Sequence, residues 1–346
     1  MLKSKIIAID LAKDVFEVAV ANTEYQILER LRLSRAQFST FLSMAPPACV
    51  VMESCGTAHF WGRFGTAAGH HVQLIPAHYV KPYRRRGKTD RADTEALLQA
   101  HRCEGINPVP VRSVEQQTIQ QLHRVREQWK QTRTQRINGL RGFLRELGFV
   151  IPVGPKLAQK HGAALLDDDA IPAPLKVVFR RLLDEIAALE ADITSVERQL
   201  KALTKHNPDV QRLQTVTGIG LLTSTAMVAA VGSPHRFPDG RRLASWLGLT
   251  PREHSSGNQR HLGKITKQGD IYLRMLLTHG ARSVLNRAKQ LQRAGQRLSR
   301  LHQWACALEK RVGHNKATCA IANKLARIAW AVWKHGRDFD PNYAIA

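Results

Sequence analysis

The stretch "KIIAID" at Lys5–Asp10 sets four apolar residues in a row and ends them on an acid. A short apolar run of this length reads as a buried strand. "VFEVAVA" (Val15–Ala21) follows at once and partly alternates, as a hairpin partner does. "EYQILERLRL" (Glu24–Leu33) alternates too. "SRAQFSTFLSM" (Ser34–Met44) has helical spacing, with Ser34 as its N-cap. "ACVVME" (Ala48–Glu53) is a second buried strand ending on an acid, "AHFWGRFGTAA" (Ala58–Ala68) a helix and "HVQLIP" (His71–Pro76) a strand. The first ~100 residues therefore predict an α/β domain.

Three adjacent strands, then helix, strand, helix and strand, is an order similar to the ribonuclease H-like fold. The next stretch, "HYVKPYRRRGKTDRADTEALLQAH" (His78–His101), is basic and loop-like in its first half. Thr89 can cap a helix that begins at Asp90. From Ser113 to about Phe149 the pattern is helical and rich in arginine, and "IPVGPK" (Ile151–Lys156) breaks it. Leu175, Phe179, Leu182, Ile186, Leu189, Ile193, Val196, Leu200 and Leu203 then alternate in steps of four and three. That heptad stripe predicts a coiled coil, paired within the chain or between subunits. After Pro208 a second globular, mainly helical region begins, with amphipathic helices over "DIYLRMLLTHGARSVLNRAKQLQ" and "KATCAIANKLARIAWAVWKHG". The expected division is 1–112, 113–206 and 207–346.

Charge narrows the partners. The chain of 346 residues carries 52 Lys and Arg against 28 Asp and Glu, a net +24. From Arg241 onward there are 20 basic and 5 acidic residues in 106 positions. A compact body so charged repels itself unless an anionic partner binds, and the pattern is that of a nucleic-acid binder. The basic residues do not form one short amphipathic membrane anchor. No apolar stretch reaches the ~20 residues of a membrane span, and "MLKSKIIAID" lacks the apolar run of a secretory signal. Five cysteines, an odd number without a C-x-x-C, argue against a disulfide framework or a structural zinc site. The expectation is a cytoplasmic protein working in the bacterial cytosol or nucleoid.

Four acids carry the first candidate site: Asp10, Glu53, Asp90 and Asp93. Taken singly, each has a plain explanation. Asp10 and Glu53 end strands and Asp90 and Asp93 favour a helix N-terminus. Together they say more. Parallel neighbouring strands place Asp10 and Glu53 at carboxyl ends, where α/β sheets build sites. Asp90 and Asp93, at i and i+3, share a helical face. Converging carboxylates need cations, and hard oxygens suit Mg²⁺. A pair of such ions ~4 Å apart clamps both oxygens of a phosphodiester displacement. The run Lys81, Arg84, Arg85, Arg86 and Lys88 can hold a nucleic-acid backbone, or is a solvated loop. Gly218 and Gly220, in "TVTGIGLLTSTAMVAAVG", match a hairpin whose backbone N–H groups grip a phosphate, or a simple helix–helix turn.

At this point "IAIDLAKD", "VVMESCGT", "KTDRADTEALLQ" and "GLTPREHSSG" together resemble the DEDD-type transposases of bacterial insertion sequences. These are relatives of the Piv DNA invertases and are described as bridge-RNA-guided serine recombinases. The resemblance spans nearly the whole chain. It implies a RuvC-like N-terminal domain, a coiled coil and a C-terminal transposase domain. It implies that Asp10, Glu53, Asp90 and Asp93 are the DEDD set holding Mg²⁺. It also implies a nucleophilic serine in "REHSSGNQRH" (Arg252–His261), placed at Ser256 by the following glycine, with Ser255 the alternative. That serine forms a covalent phosphoserine link to DNA, at a site shared between subunits. Arg252, Arg260, Lys264 and Lys267 stand near enough in sequence to neutralise the phosphate. No Ser-His-Asp triad is recognisable beside it. No P-loop is present, in keeping with strand exchange that needs no ATP. The implied partners are donor and target duplex DNA, a structured non-coding guide RNA, and further copies of the chain as a dimer and a synaptic tetramer. The rival reading is a hydrolytic, junction-resolving nuclease without serine chemistry.

Overall fold

The structure, a computed structural model, describes residues 5–84 and 90–341. The chain divides into two compact units, one ending at Glu115 and the other beginning at Gln116.

The first unit is built on a five-stranded sheet. Its elements are β1 (Ile6–Asp10), β2 (Val15–Ala21), β3 (Ile27–Ser34), α1 (Arg35–Met44), β4 (Cys49–Glu53), α2 (Ala58–Ala67), β5 (His71–Ile75), α3 (Ala77–Val80) and α4 (Asp90–Arg102). The strand order is β3-β2-β1-β4-β5. β1 pairs antiparallel with β2, and β2 with β3. β1 runs parallel to β4, with Ile9 opposite Met52, and β4 parallel to β5. Ser34 caps α1 through a full capping box with Gln37, an arrangement typically worth about 1 kcal/mol.

Alternation sorts the strand residues onto two faces. Ile7, Ile9, Val50 and Met52 pack on one side with Phe38, Leu42 and Trp61. Ile6, Ala8 and Val51 pack on the other with Ala96, Leu97 and Ala100 of α4. Asp10 and Glu53 continue the second set, so both acids face α4.

The second unit is helical apart from one small hairpin. It holds most of α5 (Val114–Glu146), then α6 (Pro155–Ala164), α7 (Ala173–Leu203), α8 (Pro208–Gln214), α9 (Leu221–Val231), α10 (Gly240–Trp246), β6 (Pro251–Glu253), β7 (Leu262–Ile265), α11 (Ile271–Arg293), α12 (Arg300–Val312) and α13 (His314–His335). The heptad stripe lies on α7, where Phe179, Ile186, Ile193, Val196 and Leu200 are buried. Leu203, its last member, is 48% exposed. α7 lies antiparallel to α5. Arg126 pairs with Glu197 at 2.6 Å, Arg133 with Glu190, and Arg136 with Glu185 at 2.7 Å, so one partner climbs as the other descends. Ile137, Leu140 and Leu144 of α5 share a core with Phe179, Leu183 and Ile186. The largest core joins α8–α13, with α11 and α13 at its centre. No helix among the described residues is long and apolar enough to cross a membrane.

Candidate active site

The acid cluster of the first unit is assembled by the sheet and α4. Asp10 and Glu53 end adjacent parallel strands on the α4 side. α4 seats Ala96, Leu97 and Ala100 in the core and carries Asp93 one turn before Leu97. Core packing therefore aims Asp93 at the strand ends. Arg84 forks between the acids: Nη2 donates to Glu53 Oε2 at 2.7 Å, and Nε lies 2.8 Å from Asp93 Oδ1. One guanidinium spanning two carboxylates means that these oxygens stand within a few ångströms of a common point, where positive charge is favoured.

Asp90 opens α4, but its side chain falls outside the described residues, as do Arg85, Arg86 and Lys88. Among the described residues no three His, Cys, Asp or Glu side chains alone form a metal cluster. The donor set nonetheless fits a hard divalent cation: it is all carboxylate, and two members already share one cation. Arg84, expected to hold nucleic acid, pairs with two of the acids. Lys81, in the short helical turn Lys81–Tyr83, is exposed. Sequence reasoning passed over Glu17. It lies opposite Asp10 on β2 and pairs with Arg32 at 3.6 Å. A lone acid inside the buried run "VFEVAVA" was the available signal.

The serine stretch of the second unit is a β-hairpin. β6 and β7 pair antiparallel, His254 N–H donates to His261 O at 2.9 Å, and Ser256 and Gln259 close the tip with reciprocal backbone bonds of 3.2 and 3.1 Å. Gly257 turns the tip with φ 55°. The two serines differ sharply. Ser255 Oγ donates to Glu253 Oε1 at 2.8 Å and accepts from His261 N–H at 3.2 Å. Arg260 Nε adds a 3.1 Å bond to the same Glu253 oxygen. The Ser255 hydroxyl and the Arg260 charge hold the Glu253 carboxyl below the usual range, which makes it a poor base. Ser256 is exposed, and its hydroxyl has no partner among the described residues.

The hairpin's root is held by several hydrogen bonds and a close backbone approach. Thr266 N–H donates to Thr250 O at 2.9 Å and Lys267 N–H to Gly248 O at 3.1 Å. Arg274 ties Leu247 O and Gln268 O to α11 at 3.0 and 2.8 Å. At Gly269 (φ 73°), an added Cβ would sit 1.9 Å from Trp246 O, so only glycine fits. Arg252 reaches Thr266 O at 3.4 Å, whereas Lys264 and Lys267 are exposed without a charged partner among the described residues. Gly218 (φ 92°) packs against Gly280, where a Cβ would lie 2.9 Å from its carbonyl oxygen, a close helix contact. Gly220 is exposed at the start of α9 with open space beside it.

Comparison with known proteins gives a consistent result. Residues 7–149 match the family described as "Transposase" whose name marks it as the DEDD type of IS110. Residues 210–296 match "Transposase IS116/IS110/IS902 family". A probable family 20 transposase of Pseudomonas aeruginosa is 40% identical over 94% of this chain and 96% of its own length. The transposase for insertion sequence element IS1111A of Coxiella burnetii is 37% identical, over 95% and 89%. The transposase for insertion sequence element IS1328 of Yersinia enterocolitica is 34% identical, over 96% and 98%. These relations place the chain among transposases, enzymes that cleave and recombine DNA. Within that class it belongs to the IS116/IS110/IS902 family. The DEDD designation of the N-terminal match implies use of a divalent metal.

Proposed function

We propose that this transposase cuts and rejoins DNA through a covalent phosphoserine at Ser256, with Mg²⁺ held by Asp10, Glu53, Asp90 and Asp93. The observation that carries the choice of serine is the hairpin chemistry. Ser255 is committed to Glu253 and His261, while Ser256 stands exposed at the tip with its hydroxyl unengaged. The mixed sheet, with antiparallel β1–β3 and parallel β1-β4-β5, supports a ribonuclease H-like, RuvC-like reading of the first unit.

In the reaction Ser256 Oγ loses its proton and attacks phosphorus. The new O–P bond replaces the bond to one deoxyribose oxygen, which leaves as a hydroxyl after taking up a proton. A hydroxyl of the incoming strand reverses the step and frees Ser256, so the phosphoester energy is conserved. A divalent ion held by these acids would supply positive charge to the phosphoryl oxygens. Lys264, Lys267 and Arg252 sit on or beside the same hairpin and neutralise the flanking phosphates. Before the metal binds, Arg84 compensates Glu53 and Asp93.

The fuller reading keeps the three-part division at 112 and 206. It has α5 and α7 as the coiled coil of a dimer that becomes a tetramer at synapsis. A structured bridge RNA pairs with donor and target DNA, leaving the protein to read backbone and shape. Kinship with the Piv invertases belongs to the same reading.

The test is an SDS-resistant protein–DNA adduct on a nicked substrate carrying the joined ends of the element. Wild type and Ser255→Ala form it, and Ser256→Ala lowers it by on the order of 10⁴. An adduct that persists in Ser256→Ala moves the nucleophile to another residue, Ser255 first; none in wild type with cleavage intact favours a hydrolytic nuclease.

A further inference from the structure

The second unit contains a cleft of about 2160 Å³ between α10, the root of the hairpin, α12 and α13. It exceeds the roughly 300–1,000 Å³ that hold small ligands. Eight lysines and arginines line it against three aspartates. One of the three, Asp239, is engaged as the N-cap of α10. Lys264, Lys267, Arg300, Lys316, Lys324 and Arg327 line it without a carboxylate partner among the described residues. Lys324 lies over the Trp304 ring at 4.2 Å. Burial and the neighbouring Arg327 push its ammonium below the usual lysine range, so the site is held short of negative charge. Solvated cations far apart need no counter-charge, but like charges crowded on a concave wall do.

We infer that this cleft seats the backbone of a DNA segment adjoining the bond that Ser256 attacks. The inference rests on the proposed role of Ser256 for its location, but not for its test. Continuity favours DNA as the occupant. β7 forms one wall of the cleft and leads directly to the hairpin tip. From Leu262–Ile265 back to Gln259 is three to six residues. At ~3.3 Å per extended residue this spans about 10–20 Å. At 3.4 Å per nucleotide along a strand, the grip falls roughly three to six nucleotides from the cleaved phosphate.

The experiment uses the full chain with Ser256→Ala in EDTA, so that neither cleavage nor metal enters. Affinity for a 30-base-pair DNA duplex and a 30-base-pair RNA duplex is measured against salt by fluorescence anisotropy (the probe length being about 30 in each case to span several helical contacts). The triple variant Arg300→Gln, Lys316→Gln, Arg327→Gln removes exposed cations that make no ion pair. The control Lys160→Gln, Arg180→Gln, Lys201→Gln removes as many from elsewhere in the same unit. The cleft variant is expected to weaken DNA binding at least ~10-fold and to flatten the salt slope by roughly 2–3, the control by far less. Equal effects of the two triples overturn the inference. Loss confined to RNA, or a change of oligomeric mass with DNA affinity intact, assigns the cleft to another occupant and overturns it too. A melting temperature matched to wild type certifies folding; if the triple variant melts early, Lys316→Gln alone decides, with an expected slope change of about 1. Because every binding arm runs without Ser256, an adduct that fails to form tells against the serine chemistry, not against the cleft.

Discussion

The arginines of α5 and the cations of the cleft belong to one unit and contribute alike to the net charge, yet they do opposite work. Arg126, Arg133 and Arg136 each meet a glutamate of α7. Their charge is spent inside the protein, fixing the order of two long helices. Lys316 and Arg327 meet no carboxylate among the described residues, so their charge is available to phosphates. Net charge measures neither role. What separates them is whether the fold has supplied the counter-ion.

Acidification should break the α5 side first and most. His123 is 4% exposed, between Tyr272 OH at 3.0 Å and Thr225 Oγ1 at 2.9 Å. Burial, then the Arg126 charge, lowers its pKa from 6.5 to about 4. The unfolded histidine therefore binds a proton that the folded one refuses. Stability is intact above about 6.5 and falls as pH descends from there to about 4, by up to roughly 3 kcal/mol. Urea unfolding across this range checks it, and His123→Gln should flatten the dependence attributable to this site. His59 behaves alike in the first unit, its pKa lowered to about 4 by burial and by Arg112 and Arg63, so the fall should survive in part.

Arg126→Ala comes next. It leaves Glu197 without its partner and opens a buried position, at a cost of about 2 kcal/mol in denaturant unfolding. Affinity for duplex DNA should stay within about twofold. A loss of affinity as large as that of a cleft variant would erase the distinction between the regions.

The smallest effect sharpens it. Lys324→Met removes an ammonium that the fold already disfavours, so stability should change by less than about 0.5 kcal/mol, or rise. DNA affinity should still drop severalfold at low salt and converge with wild type at high salt. Unchanged affinity at low salt would put Lys324 with the structural cations.

The outcome also shows what a sequence can express. Most strands of the first unit were legible because they bury one or both faces, and burial writes periodicity; β3 has no fully buried residue and shows only through the alternation that sets Leu31 and Leu33 against the core. α7 was legible for the same reason. The hairpin Pro251–Ile265 was not: its residues are largely exposed, and nothing apolar alternates there. The destination of Arg84 was equally silent, since a basic run names no partner until α4 brings Asp93 beside the end of β4. The acids themselves stood out through spacing and resemblance together. The cleft draws on positions from Asp239 to Pro341, and only tertiary packing makes neighbours of them.

The glycine at the hairpin's root bears on more than local packing. Gly269 lies so close to Trp246 that a methyl group cannot enter, and Arg274 laces both sides of the root to α11. An arm anchored in this way has nowhere to bend at its base. Under the proposed phosphoserine chemistry, load on a strand joined to the tip passes into α10 and α11 rather than into a slack loop. On that reading the helical interior takes up the load, and the stiffness of its packing sets how far a joined strand is carried before release.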